Sequence, residues 1–135
     1  GRGEKLKDGH QVAVITIGPV AAEAAKAISE VEAQEGASIA HYDLRFLKPL
    51  DEDLLTEIGQ RFEHLVTVED GAVTGGMGTA VLEWMNAHAF HPQVHRLGIP
   101  DRFVEHGSVK ELWNLCGFDA QGIAQCLEQC IKQEN

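Results

Sequence analysis

The residues Val12–Ile17, Val-Ala-Val-Ile-Thr-Ile, form a continuous apolar, β-branched run. A run of this kind suits a strand covered on both faces, because a strand with one wet face alternates apolar with polar residues. It stops at Gly18-Pro19, and proline is pre-set for the first turn of a helix. Val20, Ala24, Ala27, Ile28 and Val31 then recur at helical spacing until Gly36. A buried strand followed at once by an amphipathic helix is the unit from which parallel sheets are assembled.

The same alternation continues along the chain. Residues 39–44 alternate like a second strand, and Pro49-Leu50 lead into Asp51, a good N-cap, with Leu54, Leu55, Ile58 and Phe62 behind it. Leu50 and Leu55 stand at the positions of a hydrophobic staple. Residues 64–69 read as a third strand. Met77, Ala80, Val81, Trp84, Met85 and His88 mark one face of the next helix, Pro92 closes that region, and residues 93–99 read as a short last strand. In the tail, Ser108 and Glu111 make a capping box before a helix stopped by Gly117. Asp119 caps a final helix with Phe118 and Ile123 placed to staple it and a stripe of Ala120, Ile123, Leu127, Cys130 and Ile131. Strands alternating with helices predict an α/β fold, a three-layer α/β/α sandwich around a mostly parallel sheet. At 135 residues and 44% hydrophobic content, one core and a single domain over 1–135 are expected.

Charge narrows the partners. Lysine and arginine number 11 against 21 aspartates and glutamates, so the formal charge of -10 repels nucleic acid and anionic membranes alike. No apolar run approaches the roughly 18 residues of a membrane span, and the opening residues lack the apolar core of a signal peptide. A cytoplasmic protein is the expectation. Cys126 and Cys130 lie one helical turn apart, which suits reduced thiols, and the spacing brings no further metal ligand to them. A start without Met suggests a piece cut from something larger.

The stretch 71–85 offers the first candidate site, with Gly75, Gly76 and Gly78 between a strand and a helix. Free amides at a helix start attract anions, but a P-loop needs Lys and Ser/Thr after its glycines, and Met77 stands there instead. Val81 replaces the third glycine of a dinucleotide fingerprint, and Glu69 and Asp70 oppose a diphosphate. Tight turns and close helix–sheet packing are the favoured reading. His88, His91 and His95 fall on a helix end, before a proline and in a strand, so no metal centre is assigned. Asp51, Glu52 and Asp53 are what the helix dipole favours in a first turn. Ser108 beside His106 is explained by capping, and Cys116 has no assignable partner histidine. No catalytic, cofactor-binding or metal residue is assigned. Residues 97–108, with Asp101, Arg102, Phe103, Glu105 and His106 after a strand end, are balanced between a surface loop and a partner contact.

Three segments carry a family resemblance: Asp43 to Asp51 (DLRFLKPLD), Val66 to Val81 (VTVEDGAVTGGMGTAV) and, most specifically, Arg96 to Ser108 (RLGIPDRFVEHGS). They resemble the C-terminal domain of 1-deoxy-D-xylulose-5-phosphate synthases, and the likeness spans nearly the whole chain. The first two are shared more loosely with transketolases and the β subunits of 2-oxoacid dehydrogenases, which remain the alternative together with a stand-alone module for an anionic small ligand. Asp70 and Met77 depart from the family pattern at positions it does not use for catalysis. The resemblance implies a five-stranded mixed sheet with an antiparallel strand near residues 4–6, and a larger three-domain, thiamine-diphosphate-dependent transferase. Such an enzyme condenses pyruvate with glyceraldehyde 3-phosphate and releases CO₂, on the way to isoprenoids, thiamine and pyridoxal cofactors. Thiamine diphosphate and Mg²⁺ are held by its other domains, so this chain alone is expected to be inactive. The implied role is structural and regulatory, packing on the preceding domains and a second copy in a homodimer. Candidate contacts for that role are Gly75, Gly76, Arg102, Phe103 and His106.

Overall fold

The computed structural model describes residues 2–72, 76–99 and 119–134, and within them the expected alternation is present. In chain order the elements are β1 (Glu4–Lys7), β2 (Val12–Ile17), α1 (Ala21–Glu35), β3 (Ile39–Asp43) and α2 (Glu52–Arg61). They continue with β4 (His64–Ala72), α3 (Met77–Ala87), β5 (Gln93–Ile99) and α4 (Ala120–Glu134). The capping box at Ser108 and Glu111, the stop at Gly117 and the staple residue Phe118 lie outside the described residues.

The strands form one five-stranded sheet in the order β1-β3-β2-β4-β5. All neighbours run parallel except β1, which pairs antiparallel with β3. The implied edge strand near residues 4–6 is therefore real. β2 sits at the centre, with Ala13 opposite both Ala40 of β3 and Leu65 of β4. Its residues Val12 to Thr16 are all buried, which is why the run shows no alternation.

Successive β2 residues serve opposite layers. Val12 and Val14 join Ile39, Val66 and Val68 under α1 and α4, whose buried stripes are Ala24, Ala27, Ile28 and Val31 and then Ile123, Leu127, Cys130 and Ile131. Ala13 and Ile15 join Tyr42 and Leu65 beneath α2 and α3, against Leu55, Ile58, Met77, Val81 and Met85. The result is the three-layer α/β/α sandwich. Each fully buried Ile or Leu contributes about 1.5–3 kcal/mol of transfer free energy, so both layers must be filled for the sheet to hold.

The helix punctuation follows the residues predicted for it. Gly36 ends α1 in the left-handed conformation at φ 65°, its N–H donating to the Glu32 carbonyl at 3.0 Å. The Asp51 carboxylate accepts the Leu54 N–H at 3.1 Å and opens α2. Asp119 does the same for α4, accepting the Gly122 N–H at 3.0 Å. Leu50 packs in the same layer as Leu55, as a staple requires. On α3 the stripe ends earlier than the spacing predicts, because His88 lies half-exposed and stacks on Trp84 with ring centroids 3.9 Å apart.

Polar ties fasten β1 to the sheet. The Gly3 N–H donates to the second Asp51 oxygen at 2.9 Å, and Lys5 pairs with Glu57 at 3.0 Å. Arg61 donates to the Gly9 carbonyl at 2.8 Å and to the Asp8 carboxylate. Tyr42 donates its hydroxyl hydrogen to Glu57 at 2.8 Å, and burial is the main cause of its raised pKa.

Candidate functional site at the start of the third helix

The end of β4 and the first turn of α3 form the place where an α/β sheet of this type offers a ligand site. Residues 73–75 lie outside the described residues, so Gly75 does too, and Gly76 is the half-buried N-cap of α3. Gly76 has no side chain to satisfy the orphan amides beyond it. Glu69 satisfies them instead, its carboxylate accepting the Met77 N–H at 2.7 Å and the Gly78 N–H at 3.0 Å. The group is only 6% exposed. A buried carboxylate on two amides at the positive end of a helix is a satisfied internal ion, and it occupies the place an anionic ligand would take. The described residues therefore do not fit a diphosphate at this position.

Gly78 has a packing reason. A Cβ there would stand 2.7 Å from Thr67 Oγ1 and 2.9 Å from Arg96 Cγ, so a side chain would force α3 away from β4 and β5. Arg96 crosses the same turn and donates to Thr79 Oγ1 at 3.0 Å. The reading of the glycine stretch as turn and close packing agrees with this geometry. Glu69, expected with Asp70 to oppose an anionic ligand, takes the place of one.

The acidic first turn of α2 is structural as well. Asp51 caps, and Glu52 accepts the Trp84 indole N–H at 3.2 Å with His88 Nε2 3.7 Å away. Burial pushes the Asp51 pKa up, but the amides of Leu54 and Gly3 outweigh it and hold the carboxyl below its ordinary value. His88, His91 and His95 do not converge: His88 stacks on Trp84, and His95 faces His64 at a centroid distance of 6.3 Å. The expectation of no further ligand near the Cys126–Cys130 pair is corrected, because the tertiary structure carries His64 and His95 to Cys130. Arg102, Phe103 and His106, with Asp101, Glu105, Ser108 and Cys116, lie outside the described residues.

Residues 1–123 match the family described as transketolase, C-terminal domain. The chain belongs to that family. Among relatives, this transketolase C-terminal domain is 58% identical over 123 residues to the 1-deoxy-D-xylulose-5-phosphate synthase of Bacteroides fragilis, covering 91% of the chain and 19% of the relative. It is 58% identical over 127 residues to the synthase of Phocaeicola vulgatus, covering 94% of the chain and 20% of that protein. The chain thus spans about a fifth of the length of these relatives. Among solved structures it is similar to a split-gene transketolase in an inactive β4 tetramer, with a TM-score of 0.87 at 30% identity. That match covers 97% of the transketolase C-terminal domain described here and 42% of the solved chain.

Proposed function

We propose that this chain acts as the C-terminal domain of a 1-deoxy-D-xylulose-5-phosphate synthase, within a thiamine-diphosphate-dependent transferase that condenses pyruvate with glyceraldehyde 3-phosphate and releases CO₂. The observation that carries the reading is the 58% identity along 91% of the chain to the Bacteroides fragilis synthase. The domain's own part is to pack on the preceding domains and on a second copy in a cytoplasmic homodimer, and no step of the reaction is assigned to its residues. Thiamine diphosphate and Mg²⁺ belong on this reading to the rest of the enzyme, since Glu69 fills the helix start that could otherwise receive a phosphate. The same occupancy weighs against a stand-alone anion-binding module. Gly75, Gly76, Arg102, Phe103 and His106 are the contacts proposed for the neighbouring domains. Among the described residues no helix is long and apolar enough to cross a membrane.

A domain exchange tests the reading. Pyruvate-dependent CO₂ release with glyceraldehyde 3-phosphate, thiamine diphosphate and Mg²⁺ is measured for this chain alone, and for the Bacteroides fragilis synthase carrying this chain in place of its own C-terminal domain. Silence from the chain and turnover by the exchanged enzyme are expected. Turnover by the chain alone, or an exchanged enzyme as inactive as one lacking the domain, overturns the proposal.

A further inference from the structure

At the other end of the sheet, between the strands and α4, three side chains meet that no part of the proposed function uses. His64 opens β4 and His95 is third in β5; the register pairs His64 with Gln93 and Val66 with His95, so the rings are diagonal neighbours on one face. They lie nearly parallel, with an interplanar angle of 22°. Cys130 comes down on them from α4 and is fully buried. One ligand nitrogen from each ring and the Cys130 Sγ all lie within 4.8 Å of one another.

Two of the ring nitrogens lack partners among the described residues. His64 Nδ1 and His95 Nε2 are buried from solvent with no hydrogen bond, and His64 as a whole is only 7% exposed. A buried imidazole nitrogen without a partner costs stability, and two on facing rings require a common explanation. Val66, Val68, Leu127 and Ile131 share this face of the sheet with them.

We propose that His64, His95 and Cys130 form a binding site for one Zn²⁺ ion. Two imidazoles and a thiolate suit a borderline-soft ion, whereas Mg²⁺ and Ca²⁺ require oxygen ligands that the cluster does not offer. Bond lengths of about 2.0–2.3 Å place tetrahedral ligand atoms about 3.5 Å apart, against present separations within 4.8 Å. Binding releases the Cys130 thiol proton to solvent and involves no change of oxidation state. The ion ties β4, β5 and α4 together across about half the chain, leaving a fourth coordination position for water. Cys126 is one turn away and hydrogen-bonds to Cys130, but it is not among the three converging groups.

The untagged chain, stripped with a chelator and shown to be folded by circular dichroism, is titrated with Co²⁺ and then Zn²⁺. A thiolate-to-cobalt charge-transfer band saturating at one ion per chain, displaced by Zn²⁺ and accompanied by a higher melting temperature, is expected. Exposed histidines such as His10 and His91 cannot produce that band. Cys130→Ser abolishes it, Cys126→Ser retains it, and His95→Asn, on the less buried ring, weakens binding by at least about tenfold while the fold survives. Absence of the band in the folded chain overturns the proposal and leaves ordered water as the partner of the two nitrogens. Survival of the band in Cys130→Ser, or its loss in Cys126→Ser alone, overturns it as well.

Discussion

Glu69 shows how one side chain settles what a glycine-rich turn does. Gly76 cannot cap α3, so the amides of Met77 and Gly78 would be left unpaired in a buried place without the carboxylate at 2.7 and 3.0 Å. Replacing the charge while keeping the shape separates the two contributions. Glu69→Gln retains one acceptor and loses the charge-assisted bonds, and a loss of about 1–2 kcal/mol is expected from the urea midpoint at unchanged slope. A substitution with no effect on the midpoint would remove the carboxylate from the account of this helix start. Nothing in the spacing from Glu69 to Met77 announces such a bond, because the two meet only when β4 and α3 pack.

Elements were the most legible level. Asp51 before an apolar stripe, Gly36 after one and Asp119 before another follow from short-range chemistry that repeats wherever a helix begins or ends. The structure adds a second duty for Asp51, whose other oxygen accepts from Gly3 and so secures the lead-in to the edge strand β1. Asp51→Ala therefore costs more than an ordinary cap. A loss of about 1–2 kcal/mol by urea unfolding is expected, with faster hydrogen exchange at Gly3 as well as at Leu54; protection unchanged at Gly3 would show that β1 does not depend on this bond. On α3, helical spacing placed His88 in the buried stripe, and the aromatic face of Trp84 held it at the surface instead.

Over the whole molecule, the buried titratable groups set the response to acid. His41, 3% exposed and bonded through Nε2 to Thr16 Oγ1 at 2.9 Å, has its pKa lowered by burial, against the opposing charge of Asp43. Acid therefore acts against the fold through this ring. Below the unfolded value of about 6.5, the unfolded chain takes up a proton that the folded ring refuses, so stability falls with pH until the lowered folded pKa is reached. His95 acts in the same direction, while Asp51, Asp8 and Glu57, with lowered pKa values, lose their contribution only at more acidic pH. In chelator, the urea midpoint should decline as pH drops below about 6.5, and His41→Gln should flatten the decline; an equal slope in the variant would exclude His41 as a source. At this scale the division between sequence and structure is clearest. Apolar period, caps and turn residues determined the three layers and the order of elements from β2 onward, because each depends on neighbours a few positions away, whereas the exposed edge strand β1 carries no such period. Only the tertiary structure decided that Glu69 closes the α3 start and that His64, His95 and Cys130 share one place. Their partners lie on different elements, brought together by strand register and helix docking, to which no local spacing has access.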